Sequence, residues 1–289
     1  MSGEVLLGVR GLSVRADNGQ PILRGVSFDL APGAVHGLVG ESGAGKSTVA
    51  KVILGILPRT MTRTGGNVAY RGRDLFTLPA PAFRALLGAE IALIPQDPLT
   101  ALNPGRRIDA QLTDGFRLKR RLSRRDAEAR ALALLEEVHI REPRRVMRSY
   151  PHELSGGMRQ RVLIAAAFAL DPKLVIADEP TTALDVTVQK QILRLIHGMQ
   201  ERHRTALVFV SHDLGVVAQI CDTVSVMYMG KVMEQGPTGM LLAAPRHPYT
   251  AALIAANPRH DRPESGLKPI PAALVAAMRA EIAADEANG

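Results

Sequence analysis

The densest chemical signal in the sequence is Gly40-Glu41-Ser42-Gly43-Ala44-Gly45-Lys46-Ser47. Its spacing is G-x-x-x-x-G-K-[ST], the form of a loop whose backbone N–H groups wrap phosphate oxygens. Glycines are needed there because a Cβ would keep the backbone from approaching the phosphate closely. The helix expected to start here adds the positive end of its dipole. In that arrangement Lys46 reaches the β- and γ-phosphates and Ser47 ligates Mg2+, and the nucleotide-binding set runs from Gly40 through Thr48. The competing reading is a chance match in an ordinary strand–helix turn. An apolar run ending in glycines before the loop and helical spacing after it weigh against chance. Alone, the loop specifies only a nucleotide phosphate.

A second chemical group follows much later. Leu174-Val175-Ile176-Ala177-Asp178-Glu179 is an apolar strand ending in two carboxylates. At the carboxyl edge of a parallel sheet such residues face the crevice where ligands bind. Asp178 is suited to hold Mg2+, directly or through water. Glu179 is suited to polarise the water that attacks the γ-phosphorus. Two surface acids capping a turn are the alternative, and the phosphate loop makes it the weaker one. A third group, Leu154-Ser155-Gly156-Gly157-Met158-Arg159-Gln160-Arg161, is another glycine-rich helix start and so a second place to hold phosphate. One fold has no need of two such sites on one nucleotide. It has that need if Ser155, Gly156 and Gly157 serve a nucleotide held by another chain.

The elements that must position these groups are legible from periodicity. Leu6 to Val14 alternates in part, Asp17-Asn18-Gly19 signals a turn, and Val26 to Leu30 reads as a strand. Ala34 to Val39 is a strand leading into the loop, Thr48 to Leu57 a helix, and Gly66 to Tyr70 and Ile91 to Ile94 are further strands. From Asp97 to about Gly156 strand signals give way to helical patterns. Ser123-Arg124-Arg125-Asp126 has capping-box form and opens a helix through Ala127 to Val138. Alternation then resumes with helix Val162 to Leu170, strand Leu174 to Ala177, helix Val188 to His203, and strands Ala206 to Val210 and Val224 to Tyr228. Such alternation implies a mainly parallel sheet flanked by helices. Pro258 to Pro271 reads as a linker before a final helix around Ala272 to Ala284.

Composition narrows the class. With 289 residues, 46% of them apolar, the chain is long enough for one large domain and an appendage. The single cysteine, Cys221, excludes an intramolecular disulfide and a four-cysteine metal site, as suits a reducing compartment. No apolar run reaches the ~18–20 residues that cross a bilayer, and Met1-Ser2-Gly3-Glu4 lacks the order of a signal peptide. The expectation is a soluble protein that stays inside the cell. The formal charge of +8 is concentrated in Arg117 to Arg125 and Arg141 to Arg148. A solvated basic face explains this most simply, and proximity to anionic lipid is the next reading. Nucleic acid ranks last, because no aromatic residues interleave with the charges to stack on bases.

Taken together these motifs resemble the ATP-binding subunits of ABC transporters, whose signature is LSGGQ-like at Leu154 to Met158. The resemblance covers roughly residues 5–258 and extends to three further points. Gln96 in Ile94-Pro95-Gln96-Asp97-Pro98 is similar to the family's Q-loop, and Asp185 in Ala183-Leu184-Asp185 to its D-loop. His212 in Val210-Ser211-His212-Asp213 is similar to its switch histidine. The resemblance implies a P-loop α/β fold of the ABC ATPase type, with a mainly parallel core sheet, an N-terminal antiparallel β subdomain and an inserted helical subdomain. The expected boundaries are an ATP-binding domain over 1–257, with helices over about 97–157, and a linker and short helix over 258–289. The implied ligands are ATP and Mg2+. Glu179, His212 and Gln96 would be catalytic, Ser47, Gln96 and Asp178 would hold the metal, and Asp185 would join the nucleotide-binding set. Two such subunits would pack head to tail and drive two membrane-spanning permease subunits, whose cytoplasmic helices sit between the helical insert and Gln96.

Pro245-Arg246-His247-Pro248-Tyr249-Thr250-Ala251-Ala252-Leu253 resembles a segment of the peptide/opine/nickel importer branch. Tyr150-Pro151-His152-Glu153 and Ala101-Leu102-Asn103-Pro104 resemble the same branch. The implied function is import of oligopeptides or dipeptides, with nickel chelates or opines as rivals. The implied setting is the cytoplasmic face of a bacterial inner membrane, peripherally bound. The second ATPase is the same chain or a paralogue, and a periplasmic or lipoprotein substrate-binding protein acts indirectly. No direct nucleic-acid partner is expected. The alternative function is a soluble ABC ATPase acting on nucleic acid or ribosomes; an exporter motor is a third reading. There are two departures from the family pattern. The stretch Leu267-Lys268-Pro269-Ile270-Pro271 is followed by no cysteine, so no iron–sulfur cluster is expected. The family's adenine-stacking aromatic falls at Ala16, so relaxed base selectivity is expected.

Overall fold

A computed structural model of the chain describes residues 4–182, 185–256 and 271–288. In chain order the strands are β1 (Leu7–Ala16), β2 (Pro21–Leu30), β3 (Val35–Val39), β4 (Met61–Tyr70), β5 (Arg73–Asp74), β6 (Ile91–Ile94), β7 (Leu174–Asp178), β8 (Ala206–Ser211), β9 (Thr223–Tyr228) and β10 (Lys231–Pro237). The helices are α1 (Lys46–Ile53), α2 (Ala80–Leu86), α3 (Pro98–Ala101), α4 (Ile108–Lys119), α5 (Arg124–Glu137), α6 (Pro143–Arg148), α7 (Gly156–Phe168), α8 (Val186–His203), α9 (Leu214–Ile220), α10 (Thr238–Ala243), α11 (Pro248–Ala256) and α12 (Ala272–Asn288). The described residues fall into two compact units. The first takes in those of Leu30–Ala34 and Leu75–Val208 with the stretch before Leu7, the second those of Leu7–Asp29, Val35–Asp74 and from Phe209 on. Strand β8 begins in the first and ends in the second.

The second unit contains antiparallel and parallel pairings. Strands β2, β1, β4 and β5 lie side by side in that order, and β1 pairs antiparallel with β4 from Leu7↔Tyr70 to Ala16↔Met61. Alternation in β1 buries Val9, Leu12 and Val14 and leaves Arg10 and Arg15 outside, as expected for a sheet with one face toward the core. Strand β3 is buried along its whole length and pairs parallel with β9, His36 opposite Thr223 and Val39 opposite Val226. A strand apolar without alternation is the form a parallel sheet covered on both faces requires. Strand β10 pairs antiparallel with β9.

The first unit holds the helices of the segment 97–157 together with α7, α8, β6 and β7. Strands β6 and β7 run parallel, Ile91 opposite Leu174 and Ile94 opposite Ala177. Helix α5 starts where its capping residues predict: Ser123 accepts a hydrogen bond from the Asp126 N–H at 3.2 Å. Its buried face is Ala127, Ala131, Leu134 and Leu135, one side of a 3.6-residue period. The two basic runs, distant in sequence, meet here. Arg117, Arg124, Arg144 and Arg148 line one cavity of about 380 Å3 with Arg107, Asp109 and Glu128.

Element boundaries differ from expectation at a few points. Helix α1 starts at Lys46 rather than Thr48, because the glycine loop itself caps it, and it ends at Ile53, before the helix-stopping Gly55 and Pro58. The helix expected from Val162 starts at Gly156, where Ser155 caps it. Strands β5 and β10 and helices α2, α9 and α10 were not expected from periodicity, since each is too short or too evenly polar to show a period. The expected linker lies outside the described residues except for Pro271.

Candidate functional site

In the second unit the loop 40–47 joins β3 to α1. Gly45 caps the helix with φ 95°, and a Cβ there would stand 2.7 Å from the Leu23 side chain and 3.0 Å from the Ile22 carbonyl. At Gly40 a Cβ would fall 2.1 Å from the Met227 carbonyl oxygen. Both positions therefore demand glycine for reasons of this chain's own packing. Lys46 is 3% exposed, and its Nζ donates to the carbonyls of Gly40 at 2.9 Å and Glu41 at 2.8 Å. Its amine thus bridges two backbone carbonyls of the loop. Ser47 and Thr48 are half-buried in the first turn of α1, while Glu41, Ser42 and Gly43 are exposed. The N–H groups of Thr48 and Val49 donate to the Gly45 carbonyl. His212 belongs to the same unit and is exposed immediately after β8, where Ser211 accepts from the Asp213 N–H at 3.0 Å.

In the first unit the parallel register of β6 and β7 brings two of the expected residues together. Ile94 lies opposite Ala177, so Gln96 and Glu179 both follow strand ends at one edge. Gln96 Nε2 donates to Glu179 Oε2 at 3.3 Å, and Thr182 Oγ1 donates to the same oxygen at 3.0 Å. Glu179 has φ 46°, in the left-handed region that a side chain with a Cβ rarely takes. Such strain persists only when the surroundings impose it, and it clusters at functional positions. Asp178 is the half-buried last residue of β7. Thr182 is a positioning group that sequence reasoning missed; the threonine pair after Asp178-Glu179-Pro180 was its only trace.

The signature segment also lies in the first unit. Ser155 caps α7, its Oγ accepting from the Met158 N–H at 3.3 Å. The next two glycines behave unlike those of the phosphate loop. A Cβ at Gly156 would meet nothing within 4 Å, and at Gly157 it would meet only a Val188 methyl at 3.5 Å. Neither has a positive φ. Below them Gln160 is buried and donates to the Pro180 carbonyl at 2.7 Å, which ties α7 to the segment after Glu179. Burial lowers the pKa of Arg161, whose guanidinium donates to the Val138 carbonyl at 2.8 Å. Asp185 is exposed and caps α8 by accepting from the Val188 N–H at 2.9 Å. The rest of the expected D-loop, Ala183 and Leu184, lies outside the described residues.

Oxygen donors are what Mg2+ selects, and the three residues expected to hold it offer a hydroxyl, an amide and a carboxylate. In Gln96 the amide nitrogen donates to Glu179, and the amide oxygen is the atom that would meet a metal ion. The donor set fits the ion.

Comparison with known proteins identifies the family. Residues 23–182 match the family described as ABC transporter, and residues 233–282 match the oligopeptide/dipeptide transporter C-terminal region. The chain is 48% identical over 250 residues to the probable D,D-dipeptide transport ATP-binding protein DdpD of Escherichia coli K12, covering 86% of this chain and 76% of that protein. It is 43% identical over 270 residues to the oligopeptide transport ATP-binding protein OppD of Salmonella typhimurium LT2, covering 92% and 80%. Among solved structures, the dimeric structure of MJ0796, a bacterial ABC transporter cassette, superposes with a TM-score of 0.71 at 25% identity, covering 80% of this chain and 98% of the other.

Proposed function

The chain belongs to the ABC transporter family as an ATP-binding subunit, and on that premise we propose that it is the ATP-hydrolysing motor of a peptide importer. The observation that carries the mechanism is the contrast between two sets of glycines. At Gly40 and Gly45 of the phosphate loop glycine is demanded by the chain's own packing. At Gly156 and Gly157 nothing among the described residues demands it. Glycine in a helix is unfavourable by about 0.5–1 kcal/mol relative to alanine, so a requirement there comes from a ligand that this chain does not hold by itself. A triphosphate bound to the phosphate loop of a second ATPase subunit meets that description. The dimeric MJ0796 cassette supports the pairing.

In this reading the loop amides from Gly40 to Thr48 cradle the phosphates. Lys46 exchanges the Gly40 and Glu41 carbonyls for β- and γ-phosphate oxygens. Ser47, Gln96 and Asp178 would hold Mg2+, which would supply positive charge to offset that of the phosphates. Glu179, aimed by Thr182 and Gln96, takes a proton from the attacking water, and the O–P bond it forms displaces ADP from the γ-phosphorus. His212 contacts the γ-phosphate. Ser155, Gly156, Gly157 and Asp185 complete the site of the opposing subunit. Because Gln96 touches both the catalytic carboxylate and the start of the helical segment, it is the natural carrier of motion between them. Leu99, three residues further on in α3 and 60% exposed, offers an apolar contact to a permease helix.

The cargo is peptide, dipeptide or oligopeptide in class, as the names of the two relatives and the C-terminal match support. The partners are two permease subunits and a second ATPase subunit, with a substrate-binding protein acting indirectly. The position is peripheral, at the cytoplasmic face of the inner membrane. The basic face around Arg117, Arg124, Arg144 and Arg148 suits anionic lipid nearby. The single-cassette transporter reading has this support; the nucleic-acid reading has none.

The test is Glu179→Gln. It retains ATP binding and lowers kcat about a hundredfold or more, and ATP then drives the variant into dimers measurable by light scattering. An unchanged kcat removes Glu179 from the base role.

A further inference from the structure

Glu179 carries its left-handed backbone into a tight turn. The Thr182 N–H closes the turn on the Glu179 carbonyl at 3.2 Å, and Pro180, with its fixed φ, holds the second position. The two middle residues, Pro180 and Thr181, are buried. Turns usually run over the surface because their polar groups need partners. A buried turn must find those partners inside the protein.

Two glutamines from two helices supply them. Gln160 of α7 donates its Nε2 to the Pro180 carbonyl at 2.7 Å, and Gln189 of α8 donates its Nε2 to the Thr181 hydroxyl at 3.4 Å. The other buried positions of α7 are apolar, Val162, Leu163, Ile164 and Phe168 among them. A buried amide on that face is costly unless its hydrogen bond is made, and here it is made to the residue that follows Glu179. Gln96 and Thr182 act on the carboxylate itself. The two glutamines act on the backbone that carries it.

Their placement along the helices is alike. Gln160 comes four residues after Gly156, the first residue of α7, and Gln189 four residues after Asp185, the cap of α8. Each therefore lies about one turn into its helix. The strained backbone of Glu179 is thus tied to both helix starts that carry the expected contacts to an opposing subunit's nucleotide.

We infer that Gln160 and Gln189 are positioning residues for the catalytic carboxylate: by holding the turn at Pro180 and Thr181 they fix the backbone from which Glu179 points. The inference rests on the reading of Glu179 as the general base and adds the groups that aim its main chain.

The experiment measures steady-state ATPase, affinity for a fluorescent ATP analogue and Tm for full-length wild type, Gln160→Met and Gln189→Ala. Each substitution is also combined with Glu179→Gln, where the residual rate is followed over a single turnover. Gln160→Met lowers kcat about tenfold with KM and analogue affinity at wild-type values, since a misplaced catalytic group costs rate rather than binding. Gln189→Ala, a milder change at a half-buried position, lowers kcat about threefold and decides the matter alone should Gln160→Met fail to fold. In the Glu179→Gln background neither substitution slows the residual rate further, because the group they position is gone. Wild-type kcat in either folded variant overturns the inference for the residue replaced. The same fold-loss on top of Glu179→Gln overturns it too, and makes the glutamines packing residues only. An unchanged kcat in Glu179→Gln by itself overturns the general-base reading and the inference with it.

Discussion

Glu179 shows how much a single residue depends on its neighbours. Its backbone sits at φ 46°, and two side chains, Gln96 and Thr182, converge on one of its carboxylate oxygens. The strain and the two donors set the direction of the carboxylate before any substrate arrives, the form of preorganisation that hydrolysis benefits from. Ala16 illustrates the opposite case, a position where a residue is missing. It ends β1 opposite Met61, and no aromatic residue precedes Phe28 in the sequence. If the base meets the chain at Ala16, as the family pattern implies, it is discriminated less than one stacked on a ring. GTP hydrolysis at a rate within about tenfold of ATP hydrolysis is the expected outcome, since roughly 1.4 kcal/mol separates such rates. A turnover assay showing strict ATP preference would contradict it.

At the scale of elements, the start of α7 is the point where the fold serves something outside itself. Ser155 caps the helix in the ordinary way, and Gln160 anchors its inner face to the Pro180 carbonyl. Among the described residues nothing crowds a Cβ at either of the two glycines that open the helix, beyond an ordinary 3.5 Å contact at Gly157. Gly156→Ala is therefore expected to fold normally and to leave Tm unchanged or slightly raised, by up to about 1 kcal/mol in stability. Its ATPase activity falls at least tenfold if the proposed pairing holds, because the added Cβ would then stand where the opposing subunit's phosphate comes. Retained activity in Gly156→Ala would detach this helix from the nucleotide. A clear loss of stability would mean that the glycine serves the monomer after all.

At the scale of the molecule, stability carries a pH dependence written into one core residue. His36 on β3 is fully buried, stacked on Phe28 at 4.5 Å, with Nδ1 on Thr223 and Nε2 on Ser225. Burial lowers its pKa to about 4, against a smaller opposing pull from Asp29. The unfolded chain binds this proton near pH 6.5 and the folded chain does not, so the unfolded state gains protons first as pH falls. The His36 contribution to stability is therefore complete above pH 6.5 and declines as the pH drops toward 4, by on the order of 3 kcal/mol over that range. Urea unfolding midpoints measured across this range check it. A His36→Gln variant is expected to show a shallower decline, and equal slopes in the two proteins would assign the effect to other groups.

How much of this was legible beforehand depends on the kind of information each feature needs. The phosphate loop, the acidic strand end, Gln96, His212 and the second glycine-rich helix start are local: a few adjacent residues state their chemistry, because backbone approach and strand ends are short-range matters. The parallel strands were legible for the same reason, since a strand buried on both faces shows itself in five consecutive apolar residues such as 206–210. The bond between Gln96 and Glu179, 83 positions apart, the Thr182 support, and the meeting of two basic runs around one cavity required the register of β6 on β7 and the packing of α4, α5 and α6. So did the distinction between glycines the chain needs for itself and glycines it offers to a ligand. A residue type announces what a backbone is able to approach; only the folded chain shows whether its own atoms already occupy that space.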